Sequence, residues 1–132
     1  MKISTLMSYA QGFVGATKEI VEMEKAGLNV VWVPEAYSFD AVSAMGYLAA
    51  KTKKVTIASG ILNIYSRSPT LMAMTAAGID SLSEGRCMLG LGASGPQVIE
   101  GFHGIPYDAP MSRIREIVEI CRKVWLLSLI HI

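Results

Sequence analysis

Four short apolar segments, beginning near Lys2, Leu28, Val55 and Cys87, recur every 26 to 32 residues, each followed by a stretch of helical periodicity. Strands alternating with helices at this period read as βαβ units with right-handed crossovers, hence a parallel sheet. Lys2–Leu6 is the first expected strand. Val14–Ala26 reads as a helix with Ala16, Ile20 and Met23 on one face and Gly27 as its stop. Leu28–Val33 is a near-continuous valine-rich run, the pattern of a strand buried on both faces. Asp40 is placed to cap the next helix, whose stripe is Val42, Met45, Gly46 and Ala49.

Val55–Ala58 is the third expected strand. Ser68 with Pro69 at the first helical position opens a third helix, with an expected inner stripe of Leu71, Met74, Thr75, Gly78 and Leu82 and its end at Gly85. Cys87–Leu91 is the fourth strand. A Gly/Pro-bearing loop follows, and Ser112 is the expected cap of a last helix carrying Ile114, Ile117, Val118, Cys121 and Trp125. Two α/β architectures fit this order: a doubly wound sheet, or the start of an eightfold barrel of about 250 residues.

Hydrophobic residues make up 52% of the 132, and the mean hydropathy is +0.40. A membrane span needs roughly 18 or more consecutive apolar residues, and the apolar runs here are far shorter. Polar residues Ser4, Thr5, Ser8 and Gln11 also break any secretory apolar region. The buried-sheet reading and a cytoplasmic location follow as expectations. A net charge of +1 gives no sign of a nucleic-acid or membrane partner. The one basic run, Lys51, Lys53 and Lys54, reads as a solvated helix end. Cys87 and Cys121 lack metal-ligand spacing and read as small core hydrophobes, so no metal site is expected.

In parallel α/β folds ligands meet the carboxyl ends of the strands. After the second strand, Glu35 and Tyr37 are the candidate catalytic residues, an acid and a phenol presented to a bound ligand. After the third come Ser59, Gly60 and Ile61, where a strand-end glycine marks a bulge or a close backbone approach. The fourth strand runs into Gly90-Leu91-Gly92-Ala93-Ser94-Gly95, formally a G-x-G-x-x-G. A dinucleotide fingerprint would have to open a long helix. Here Pro96–Glu100 allows only a short turn before Gly101, Gly104, Pro106 and Pro110. Glycines that let backbone approach a ligand fit better. His103, between Phe102 and Gly104, has no nearby partner in sequence and reads as a structural or solvated loop histidine. No hydrolase motif is visible.

At these residues the chain resembles the luciferase-like monooxygenase superfamily, and within it the coenzyme F420-dependent (deazaflavin) oxidoreductases. The resemblance runs from Met1 to about Trp125. It is carried by Glu24-Lys25-Ala26-Gly27-Leu28, Val31-Trp32-Val33, Ser59-Gly60-Ile61, Ser68-Pro69, Leu82-Ser83-Glu84-Gly85-Arg86 leading into the glycine run, and Glu100-Gly101-Phe102-His103-Gly104. It implies the first half, about four β/α units, of a TIM (β/α)8 barrel with the cofactor at the strand ends. It further implies a cis Gly60–Ile61 bond backing the deazaflavin ring, and Glu35 facing that ring. Ser59, Gly60, Ile61, Gly92, Ala93 and Ser94 are then the cofactor-binding residues, and the chemistry is hydride transfer with an organic small-molecule substrate. Several relatives place a histidine after the acid of the second strand, where this chain has Ala36. The phosphate-binding machinery belongs to the second half of such a barrel, and family members suggest a homo-oligomer at full length.

Two rivals are carried. One is an FMN-dependent monooxygenase on the same barrel. The other is a non-enzymatic doubly wound signalling module, which would want an acidic cluster after the first strand, where Ser4-Thr5-Leu6-Met7-Ser8 has none. The chain's end carries no helix-stop residue, and Leu127–Ile132 matches a translated adapter end sequence. The expectation is a native barrel segment over 1–126 and a read-through tail over 127–132. Such an unclosed barrel is expected to be inactive alone and prone to aggregate through apolar strand edges.

Overall fold

A computed structural model describes residues 1–37 and 39–127. Its strands β1 (Ser4–Leu6), β2 (Val30–Val33), β3 (Thr56–Ser59) and β5 (Cys87–Met88) form one parallel sheet in the order β1-β2-β3-β5. A second parallel pair, β4 (Leu62–Asn63) and β6 (Leu91–Gly92), continues the third and fourth strands beyond a break. The expected fourth strand, Cys87–Leu91, is therefore two pieces, each paired with a different part of the third.

The order is strictly sequential, and α1 (Gly12–Lys25), α2 (Ala41–Lys51), α3 (Pro69–Leu82) and α5 (Pro110–Leu126) pack on one another in chain order. Right-handed crossovers in sequential order put every helix on the same side of the sheet. A doubly wound sheet reverses direction and covers both faces. The arrangement is an arc of a β/α barrel, and the doubly wound alternative falls.

Register shows the two faces directly. Thr5, Val31, Ile57 and Cys87 form one row; Leu6, Trp32, Ala58 and Met88 form the next. Val31 and Ile57 are fully buried in the cluster shared with Ala16, Ile20, Met45, Leu48 and Met72 of the helices. Leu6 and Met88 lie exposed and Trp32 half-buried on the opposite, inner face. Burial on both faces thus holds for β2, whereas β1 remains open.

Helix ends follow local chemistry. Gly27, at φ 102°, closes α1 in a Schellman motif: Leu28 N–H reaches Met23 O at 2.9 Å and Gly27 N–H reaches Glu24 O at 3.0 Å. Asp40 caps α2 through Ser43 N–H, and Ser68 caps α3 through Leu71 N–H, with Pro69 first in the helix. Other expectations change. The buried side of α3 is Met72, Ala73, Ala76 and Ile79, while Leu71, Met74 and Leu82 are exposed. α3 closes through two left-handed residues, Glu84 at φ 58° and the expected Gly85 at φ 82°, whose N–H reaches Asp80 O at 2.9 Å. And α5 starts at Pro110 behind a left-handed Ala109 (φ 42°), so Ser112 is not its cap; its hydroxyl donates back to Ala109 O. In α1, Ala16 and Ile20 are buried but Met23 is exposed.

The amino-terminal ends of the strands are locked by two side chains that bind main chain. Glu24 Oε1 accepts from the N–H groups of Lys53, Lys54 and Val55 at 2.7–3.0 Å. Burial alone would raise that carboxyl's pKa; those three bonds outweigh it and hold it below its ordinary value. Arg86 uses all five of its N–H groups: on Ser83 O, Thr52 Oγ1, Val55 O, Ala49 O and Thr52 O. The Ser83-Glu84-Gly85-Arg86 segment is thus a structural clasp beneath the sheet. Cys121 is buried and Cys87 half-buried, the latter thiol pushed up to about 11 by burial and then by Asp80. Cys121 thus sits as the small core hydrophobe expected, and Cys87 packs at the edge of the core. Among the described residues no helix is long and apolar enough to cross a membrane. Of the expected tail, Leu127 follows α5 as its C-cap and 128–132 lie outside the described residues.

Candidate active site

The carboxyl ends of β3 and β5 are joined more tightly than an ordinary ladder allows. Ser59 is fully buried, and its Oγ both accepts from Gly90 N–H at 2.8 Å and donates to Gly90 O at 2.9 Å. A Cβ on Gly90 would sit 2.1 Å from Ser59 O. The hydroxyl of Ser59 is fully engaged within the protein and the residue is fully buried, so its part is to fix the neighbouring strand ends.

Beyond Ser59 the chain turns out of the sheet through a cis Gly60–Ile61 bond, as the resemblance implied. Leu62 N–H then picks up Gly90 O and Ile64 N–H picks up Gly92 O, so the bulge is framed on both sides by strand pairing. A Cβ on Gly92 would meet Ile61 Cγ1 at 2.9 Å. The glycines of the G-x-G therefore make room for the neighbouring strand and its bulge. Gly60, Ile61, Gly92 and Ala93 are half-exposed side by side, and Ser94, left-handed at φ 56°, is exposed at the rim. This surface is uncharged and apolar. It suits the face of a flat ring, with Ile61 pressed against it.

Glu35 follows β2 and is largely buried. Its two oxygens accept from Arg67 Nη1 at 2.6 Å and Nη2 at 2.7 Å, and Oε1 also accepts from Ala41 N–H at 3.0 Å. Burial opposes its charge, but the Arg67 and Ala41 bonds prevail and hold its pKa below the ordinary value. Such a carboxylate stays ionised at neutral pH and anchors the β2 loop to the β4–α3 loop; it is not poised to give up a proton. Tyr9, whose hydroxyl donates to Pro34 O at 2.7 Å, is pushed up to about 12 by burial and then by Glu35 and Asp40. Tyr37 is 60% exposed, its ring edge-to-face with Phe102 at 5.7 Å.

Two residues were not singled out together by sequence reasoning. Asn63 on β4 is 2% exposed, and its Nδ2 lies 3.2 Å from His103 Nε2. The loop after α4 (Pro96–Ile99) thereby folds back over the strand ends, with Phe102 against Tyr37 on one side and His103 on Asn63 on the other. An asparagine at a strand end within an apolar run was the available signal, since a buried amide must find partners. Among the described residues no group of three His, Cys, Asp or Glu is placed to hold a metal ion.

Comparison with known proteins agrees with this geometry. Residues 2–127 match the family model described as luciferase-like monooxygenase. A putative coenzyme F420-dependent oxidoreductase of Mycobacterium tuberculosis is 36% identical over 127 residues, 95% of this chain and 37% of that protein. A 5,10-methylenetetrahydromethanopterin reductase of Archaeoglobus fulgidus is 35% identical, over 76% of this chain and 30% of its own. This chain therefore spans about a third of the length of the curated relatives it matches. Among solved structures, an F420-dependent secondary alcohol dehydrogenase in complex with an F420–acetone adduct superposes with TM-score 0.79 at 26% identity, covering 94% of this chain and 42% of that one. The FMN-bound oxygenating constituent of 3,6-diketocamphane monooxygenase from Pseudomonas putida superposes at 0.81 with 21% identity, covering 95% and 39%, a likeness of fold alone. With a sequential parallel arc, a cis bulge after its third strand and a family match over nearly its whole length, the chain belongs to the luciferase-like monooxygenase family.

Proposed function

We propose that the full-length protein is a cytoplasmic, homo-oligomeric oxidoreductase that transfers hydride between an organic small molecule and coenzyme F420 bound at the strand ends. The observation that carries this is the uncharged wall of Gly60, Ile61, Gly92 and Ala93, framed by β4 and β6. When bound, the deazaflavin supplies the hydride-accepting or hydride-donating carbon. The chain's own contribution is orientation. Ile61 backs the ring, the Ser59–Gly90 bonds fix the bulge, and Ser94 offers a rim hydroxyl. Glu35, ionised on Arg67, shapes the β2 side, and Tyr37 with Phe102 covers that side from water. The 132-residue chain alone is expected to be inactive and to aggregate, consistent with the exposed Leu6 and Met88 on the inner sheet face.

The relatives named for F420 support the deazaflavin over FMN. Titrating full-length protein with F420 and with FMN, followed by cofactor fluorescence, tests the choice. Saturable F420 binding with weak or absent FMN binding is the expected result; selective FMN binding would replace this reading with the flavin monooxygenase.

A further inference from the structure

Asn63 turns a donor of fixed orientation toward His103. The Asn63 Oδ1 accepts from the backbone N–H of Tyr65 at 2.9 Å and of Ser66 at 2.8 Å. Two donors on one oxygen fix which end of the amide is which, so the atom turned to His103 is Nδ2. That NH2 group has no lone pair to offer. At 3.2 Å, His103 Nε2 must accept, and the neutral ring carries its proton on Nδ1.

The place of this pair matters as much as its chemistry. Asn63 lies two residues beyond the cis Gly60–Ile61 bond and pairs in register with Gly92. The imidazole is therefore brought to the strand ends that carry the uncharged wall. Its loop is tied down at Val98 O by the His103 N–H and at Glu100 O by the Gly104 N–H, and its ring rests edge-to-face on Phe102 at 5.1 Å. Among the described residues Nδ1 has no hydrogen-bond partner. A purely structural histidine would need only its Nε2; a buried asparagine that dictates the tautomer leaves a defined donor over.

We propose that His103 contacts the bound ring cofactor, its Nδ1–H donating to a carbonyl oxygen of that ring, and that Asn63 is the positioning residue that keeps the proton on Nδ1. This rests on the cofactor reading above.

Side-chain geometry supplies a discriminating test. The amide nitrogen of an asparagine at 103 falls where Nδ1 is, whereas the amide of a glutamine reaches where Nε2 is. Asn63→Asp would still accept from Tyr65 and Ser66 but would present a second acceptor to the ring, drawing the proton to Nε2. In the full-length protein, imidazole 15N spectra of the cofactor-free form should show Nδ1–H in the wild type and Nε2–H in N63D. Titrations with F420, and separately with FMN, should find H103N within about threefold of wild type, while H103Q and N63D lose about tenfold with unfolding midpoints retained, the size of one hydrogen bond. A wild-type proton on Nε2 overturns the proposal, as does rescue of binding by Gln but not by Asn, which is the pattern of a structural acceptor. If the wild type binds only FMN, the same series is read with FMN. If it binds neither, the cofactor reading and the ligand contact fall together, while the spectra still decide whether Asn63 sets the tautomer.

Discussion

Ser59 and Gly90 exchange two hydrogen bonds across neighbouring strands, the hydroxyl of one serving both the N–H and the carbonyl of the other. The pair works only because position 90 has no side chain. Gly90→Ala would drive a Cβ into the Ser59 carbonyl and is expected to destabilise by about 2–3 kcal/mol, as overpacking does. Ser59→Ala leaves the Gly90 N–H without its acceptor, while Gly90 O keeps Leu62 N–H; about 1–3 kcal/mol is expected. Denaturant unfolding of both variants checks this, and wild-type stability in G90A would refute the packing account.

Gly92 differs in what it meets. A Cβ there would press on the Ile61 side chain, which can turn aside, and not on backbone. Gly92→Ala should therefore fold nearly normally yet displace Ile61 from the ring face. Cofactor affinity is expected to fall about tenfold, or about 1.4 kcal/mol, with a change in unfolding midpoint much smaller than for G90A.

The Glu35–Arg67 pair is largely buried, with side-chain exposures of 11% and 14%. Removing one partner leaves the other charge uncompensated, so Glu35→Gln should cost about 3 kcal/mol. Its folded pKa lies below the unfolded one, as does that of Glu24. Both carboxylates thus add stability that is complete above the ordinary value of 4.5 and is lost as pH falls through their lower folded values. Thermal melts from pH 6 downwards should show the wild type losing stability in acid, and E35Q losing less over the same range.

Thr17 is the one buried side-chain polar atom without a partner among the described residues. It faces the core from α1 beside Ala16 and Ile20. Thr17→Val keeps the shape and removes the orphan hydroxyl, so a gain of about 1 kcal/mol is expected. A lower melting temperature for T17V would mean that the hydroxyl has a role the packing does not reveal.

What sequence reasoning could see was local. Asp40, Ser68, Pro69 and Gly27 announce helix ends through bonds made within a few residues, and the strand–helix period is visible along the chain. The inner stripe of α3 was not legible. Its sequence is apolar on two faces, so Leu71-Met74-Leu82 and Met72-Ala76-Ile79 both satisfy helical spacing. Only tertiary packing chooses the second set, whose alanines let the helix approach its neighbours closely. The start of α5 was misplaced because Ala109 takes a left-handed conformation that nothing in its chemistry foretells. At the candidate site, Ser59, Gly60, Ile61 and the glycine run stand together, whereas the partner of Glu35 lies 32 residues away and that of Asn63 lies 40 away. Such pairings belong to the fold and leave no periodic trace.

The clasp beneath the sheet has a wider consequence. Glu24 grips only main-chain groups, and all but one of the acceptors of Arg86 are main-chain carbonyls. Partners of that kind are present whatever side chains the strands carry. The floor of the barrel is thus indifferent to mutation in the walls above it, and the loops at the far rim can be exchanged or grafted without renegotiating the foundation.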